Sequence, residues 1–111
     1  MELLLKVEAR PGRGAVLAVN GRVNALNVAA LKARIKALVE EGRTEIVCDL
    51  SEVSFLDSSG LSALVSGLKT TRERGGYLRL AGLTRQVASI FQLTMLDRVF
   101  ELFPTVEAAL A

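Results

Sequence analysis

Glu45-Ile46-Val47-Cys48-Asp49-Leu50-Ser51-Glu52-Val53-Ser54-Phe55-Leu56-Asp57-Ser58-Ser59-Gly60-Leu61 decides the fold. Its first part, Glu45 to Leu50, reads as an apolar strand. Its end passes into a helix whose apolar positions recur at Leu61, Leu64, Val65 and Leu68. Asp57-Ser58-Ser59-Gly60 therefore lies where a strand hands over to a helix N-terminus. In an open α/β sheet that edge is where ligands and partners bind. Free backbone N–H groups and the positive end of the helix dipole also favour negative charge there. A hydroxyl at this place is well sited to become a phosphate.

Outward from this junction, strands and helices alternate. Glu2 to Ala9 reads as a strand with Leu3, Leu5 and Val7 on one face. Pro11-Gly12-Arg13-Gly14 is a turn, and Ala15 to Val19 runs apolar on both faces, as in a central strand. These two strands are expected to form an antiparallel hairpin. Asn24 or Asn27 could cap the next helix, whose stripe is Val28, Leu31, Ile35, Leu38 and Val39, with Gly42 closing it. The helix after the serines stops near Gly75-Gly76. Tyr77 to Ala81 is a fourth strand, and Thr84 caps a third helix carrying Val87, Ile90 and Phe91. Asp97 to Phe103 reads as a short fifth strand, and Pro104 can start a last helix through Leu110. The order ββαβαβαβα implies an α/β fold: a small, mixed, mostly parallel sheet with an N-terminal antiparallel hairpin and about four helices packed on it.

Composition sets the bounds. The 111 residues suit one compact domain, residues 1–111, and half of them are hydrophobic. Fourteen basic and twelve acidic residues give a net charge of +2, and the basic ones are scattered, so no nucleic-acid partner is expected. No apolar run reaches membrane-span length and no signal peptide opens the chain, which points to a cytoplasmic protein. Cys48 has no cysteine to pair with and sits inside an apolar strand, where it packs as a small hydrophobe.

The chain has no histidine, the commonest general base and metal ligand. There is no Gly-x-Ser-x-Gly elbow and no Walker loop. No catalytic residue, metal or cofactor is expected. Glu52 and Asp57 are better read as a solvated group and a cap than as an acid/base pair. Capping accounts for Asp57 and one serine, but not for a second serine followed by Gly60. Glycine in the first helical turn weakens the helix, so its use implies close backbone approach, within the fold or by a partner.

Phe55-Leu56-Asp57-Ser58-Ser59-Gly60-Leu61 resembles the signature of the STAS domain, specifically of the bacterial anti-sigma-factor antagonists. The likeness spans essentially the whole chain: Val16 to Gly21, Ile46 to Leu50, Gly75-Gly76, Thr94-Met95-Leu96, Phe100 and Glu107 to Leu110 fit its other segments. The resemblance implies a partner-switching adaptor and not an enzyme. Unmodified, such a protein binds an anti-sigma factor with serine kinase activity and frees the sigma factor. Phosphorylation of the loop serine releases it, and a serine phosphatase resets it. By motif position the acceptor is Ser58, with Asp57, Ser59 and Gly60 shaping recognition. Where the family usually carries Gly-Glu-x-Asp, this chain has Gly21-Arg22-Val23-Asn24. Arg22 could then pair with a phosphate or an acidic partner surface.

Helical spacing puts Ser59, Ala63, Ser66 and Thr70, with Gly67 beside them, opposite the Leu61/Leu64/Val65/Leu68 stripe. This small-residue face, continuous with Ser58, is expected to dock the anti-sigma factor, or else to be tolerated surface. Asp57, Ser58, Ser59, Gly60, Ala63, Ser66, Arg22 and Asn24 are thus the candidate partner-binding residues. An alternative function is a stand-alone accessory subunit of an ABC-type lipid transport system, and a third is nucleotide binding or weak hydrolysis. The oligomeric state is open.

Overall fold

The computed structural model describes residues 3–111. Its strands are β1 (Leu4–Ala9), β2 (Gly14–Val23), β3 (Glu45–Leu56), β4 (Tyr77–Ala81) and β5 (Leu102–Phe103). Its helices are α1 (Val28–Glu40), α2 (Ser58–Glu73), α3 (Arg85–Leu93) and α4 (Val106–Leu110). The five strands form one sheet in chain order, β1 antiparallel to β2 and the remaining pairs parallel. This is the mixed α/β architecture expected from the alternation of elements. The start of the first strand at Glu2 lies outside the described residues.

The alternating side chains of the inner strands feed two cores. Leu17, Val19, Ile46, Cys48, Leu50, Leu78 and Leu80 face α1, α2 and α3. Val16, Val47 and Ala81 face α4 on the other side, with Ala109, Tyr77 and Phe103. A strand buried on both faces has no polar alternation, which is why Ala15 to Val19 reads as a continuous apolar run. Helix ends follow the local chemistry. Gly42 and Gly75 take positive φ after α1 and α2, and their neighbours' N–H groups turn back onto the last helical carbonyls. Thr84 Oγ1 accepts from Val87 N at 3.3 Å to cap α3.

Four boundaries differ from the sequence reading, the second strand running past Val19 to Val23. The third strand does not stop at Leu50 but runs to Leu56. Two register shifts against β2, between Ala18 and Asn20 and between Gly21 and Arg22, absorb extra residues on β3. Such bulges keep a strand paired while re-aiming its end. The fifth strand does not begin at Asp97. Met95 adopts a left-handed φ of 61°, Leu96–Arg98 form a 3-10 turn, and only Leu102–Phe103 pair with β4. That turn lets Phe100 dive into the core, edge-on to Phe91 with ring centroids 5.6 Å apart. The last helix is capped by Thr105, whose hydroxyl accepts from Ala108 N, and Pro104 stands outside it.

Candidate functional site

Because β3 continues to Leu56, the link to α2 is the single residue Asp57, not a loop. Extended backbone at Asp57 (φ −94°, ψ −173°) aims its carboxylate back at the helix. Oδ1 accepts from Ser59 N at 2.9 Å and from Gly60 N at 3.1 Å. Oδ2 accepts from Ala25 N at 3.2 Å, and the Asp57 N–H donates to Val23 O at 3.1 Å. One carboxylate thus caps α2 and also ties it to the segment joining β2 to α1. Charge-assisted bonds of this kind are the stronger ones.

The four motif residues separate into different roles. Ser58, the first residue of α2, is exposed, and among the described residues its hydroxyl makes no hydrogen bond. Ser59 is half-buried, with its N–H held by the cap. Gly60 is buried, and the reason for glycine lies within the fold. A Cβ there would stand 2.5 Å from Leu56 Cδ1 and 3.0 Å from Val23 Cγ1. The close backbone approach implied by the sequence is α2 pressing on the ends of β3 and β2.

The segment before α1 is locked by its own side chains. Asn24 Oδ1 accepts from Leu26 N and Asn27 N, at 2.9 and 3.2 Å, and Asn27 Oδ1 accepts from Asn24 N at 3.0 Å. Asn27 Nδ2 donates to Arg22 O at 2.7 Å. Asn27 stands at the N-cap position of α1, yet neither asparagine caps the helix with its side chain. Both instead make the local turns that asparagine favours. The result presents Leu26, 96% exposed, beside the Asp57 cap. Sequence reasoning missed Leu26, since an isolated leucine between two asparagines carries no periodic signal.

Arg22 does not approach a carboxylate among the described residues. Its guanidinium carbon sits 4.4 Å from the centroid of the Phe55 ring, its register partner across β2 and β3. Stacking of this kind is worth about 0.5–1 kcal/mol at an exposed site.

The outer face expected for α2 requires correction at Ala63. Ala63 is 1% exposed and cannot dock a partner, and Gly67 is buried as well. α1 packs beside α2, and a Cβ on Gly67 would meet Ile35 at 3.2 Å. The small residues admit the neighbouring helix. Packing against α1 as well as the sheet also turns the buried stripe, leaving Val65 39% exposed instead of in the core. Ser66 is exposed as expected, and Thr70 is partly so, its hydroxyl donating to Ser66 O at 2.9 Å. Lys32 and Lys36 of α1 join these two along a groove between the helices.

Cys48 is fully buried, and its thiol is pushed from 9.0 up to about 12, by burial first and by the Asp49 charge second. It is a packing residue. Among the described residues, no three His, Cys, Asp or Glu side chains converge as a metal site would require, and no helix is long and apolar enough to cross a membrane.

The junction thus offers one exposed serine beside an aspartate that caps α2 and holds the segment before α1. The STAS domain family model matches residues 5–109. The chain belongs to the STAS domain family. Among STAS relatives, the anti-sigma-F factor antagonist RsfB of Mycobacterium tuberculosis is 34% identical over 98 residues, 86% of this chain and 78% of that one. The anti-sigma-B factor antagonist of Bacillus subtilis is 27% identical over 84 residues, 76% of each chain. The crystal structure of an anti-sigma factor antagonist from Mycobacterium paratuberculosis superposes with a TM-score of 0.88 at 30% identity, covering 98% of this chain and 92% of that one.

Proposed function

We propose that this STAS chain is an anti-sigma-factor antagonist, a cytoplasmic single-domain adaptor switched at Ser58. Unmodified, it binds an anti-sigma factor that is also a serine kinase, and the sigma factor is set free. Phosphorylation of Ser58 breaks that complex, and a serine phosphatase restores the hydroxyl.

The observation that carries this reading is the state of Ser58. It is exposed at the first position of α2, beside a carboxylate already committed to capping. A kinase can reach the hydroxyl without disturbing the cap. The first turn holds no acidic residue, so the helix dipole partly offsets a phosphate of about −1.5 to −2 charge, while Asp57 opposes it. Asp57 ties the junction both to α2 and to the segment before α1. Phosphate acts at the contact itself, because an unpaired dianion costs heavily to desolvate in an interface. Names shared by the relatives support the antagonist role. The docking surface comprises Ser58, Ser59, Leu26 and Ser66, with Asp57 and Gly60 positioning them and Arg22 and Asn24 at its border.

Phosphopeptide mapping of the chain recovered from its native cell tests this. Phosphate on Ser58, absent when Ser58→Ala is expressed in its place, is the expected result. Phosphate confined to Ser59, or none under any growth condition, would overturn it.

A further inference from the structure

β1 is an edge strand. Its inner side pairs with β2, and among the described residues no strand pairs with its outer side. One bond fixes which backbone groups face outward. Arg10 N donates to Gly14 O at 3.0 Å, so Arg10 points its backbone groups inward. These directions alternate along a strand, so Glu8, Lys6 and Leu4 point inward too. Leu5, Val7 and Ala9 direct N–H and C=O outward. Such a row is a template for another strand. The side chains divide the same way: Leu5 and Val7 pack against the main core, while Lys6 and Glu8 are exposed on the other face.

Two copies of this strand can pair antiparallel only when outward residues oppose outward residues. Placing Leu5 against Val7 sets Lys6 against Lys6. Placing Val7 against Ala9 sets Glu8 against Glu8 and Lys6 against Arg10. Like charges directly opposite destabilise a sheet. Placing Leu5 against Leu5 sets Lys6 against Leu4 and shortens the overlap. Placing Val7 against Val7 uses the whole strand. It sets Leu5 against Ala9 and joins Lys6 to Glu8 on both sides of the axis. It also lays the Arg10 stem over Leu4, which is 58% exposed in the single chain. Glu8 already meets Arg10 of its own chain at 3.7 Å in a water-exposed pair, which leaves it available to a lysine opposite.

We propose that β1 pairs with β1 of a second copy of this chain, antiparallel and two-fold symmetric about Val7, so that the sheet runs on from one copy into the next. The contact is a strand edge, so the dimer is weak and reversible. Ser58 follows β3, two strands in from this edge, and stays open in both copies.

Sedimentation of the purified chain from about 10 μM to about 1 mM tests the proposal. The parent should show a reversible monomer–dimer equilibrium. Lys6→Glu turns both attractive pairs into repulsive ones and should raise Kd about tenfold or more. Adding Glu8→Lys reverses the pairs and should restore Kd to within about threefold of the parent. Val7→Pro deletes an outward N–H while leaving every β1–β2 bond in place, and should be monomeric with parental circular dichroism. A parent that is monomeric at the highest concentration overturns the proposal. So does a dimer indifferent to Lys6→Glu, or one that the charge reversal fails to restore. Should Val7→Pro not fold, the charge series alone decides.

Discussion

Replacing Gly60 with alanine sets two opposing effects against each other under the proposed acceptor serine. Inside a helix, alanine is favoured over glycine by about 1 kcal/mol. The new methyl, however, would lie 2.5 Å from Leu56 Cδ1, 2.9 Å from Leu56 Cγ and 3.0 Å from Val23 Cγ1. Leu56 is 1% and Val23 0% exposed, so neither can swing into solvent. Overpacking of this kind costs about 1–3 kcal/mol, and two hemmed-in neighbours place it in the upper half of that range. The net expectation is a loss of about 1–2 kcal/mol after the helical gain is subtracted. Gly67→Ala is the internal control. Its Cβ would meet Ile35 at 3.2 and 3.3 Å and Leu78 at 3.4 Å, contacts that a few tenths of an ångström relieve. There the helical gain and the crowding should cancel to within about 0.5 kcal/mol. Urea unfolding at 25 °C, with m unchanged across the series, measures both. Gly60→Ala as stable as the parent, or Gly67→Ala the more damaged of the two, would refute the reasoning.

Cys48 supplies a pH signature. Its folded thiol holds the proton up to about 12 while the unfolded one ionises near 9.0, so the folded state binds more protons in between. Unfolding free energy should fall as pH rises from about 9 toward 12, and Cys48→Ala should flatten that part of the profile; parallel alkaline profiles for parent and variant would contradict it. On α2, Ala63→Arg should lower the melting temperature sharply, since it drives a charge into the α1–α2 contact. Ser66→Arg should leave melting unchanged but weaken anti-sigma-factor binding about tenfold, or about 1.4 kcal/mol, in calorimetric titration. Equal melting temperatures for these two variants would dispose of the helix contact, and parental affinity for Ser66→Arg would remove Ser66 from the docking surface.

The sheet and its helices were legible because period-two and period-3.6 patterns differ, and β2 and β3 carry apolar runs that only a strand buried on both faces requires. The helix ends were legible where one residue type serves one purpose, as at Thr84, Gly42 and Gly75. Boundaries failed where tertiary geometry overrode local signals. Ser51-Glu52 looks like a loop, yet bulged pairing with β2 carries β3 through it. Asp97 looked like a strand start because the left-handed turn at Met95 has no glycine to announce it. At the junction, the pattern of strand then helix placed Ser58 at the start of α2, while the role of Gly60 needed the positions of Leu56 and Val23. Ala63 was misplaced because a helical wheel knows one buried face, and α2 has two neighbours, the sheet and α1. The bond from Ala25 N to the Asp57 carboxylate joins residues 32 apart, a distance no local pattern spans.

The most direct test of the switch uses three immobilised proteins, the parent, Ser58→Ala and Ser58→Glu, exposed to extract from the native cell, with retained proteins identified by mass spectrometry. All three should have the same melting temperature, because Ser58 makes no hydrogen bond through its side chain among the described residues. The parent and Ser58→Ala should retain the same anti-sigma factor with serine kinase activity, and Ser58→Glu should retain at most about a tenth as much, a loss of about 1.4 kcal/mol or more. Retention of that kinase by Ser58→Glu at the parental level, or its absence from all three, would contradict the account.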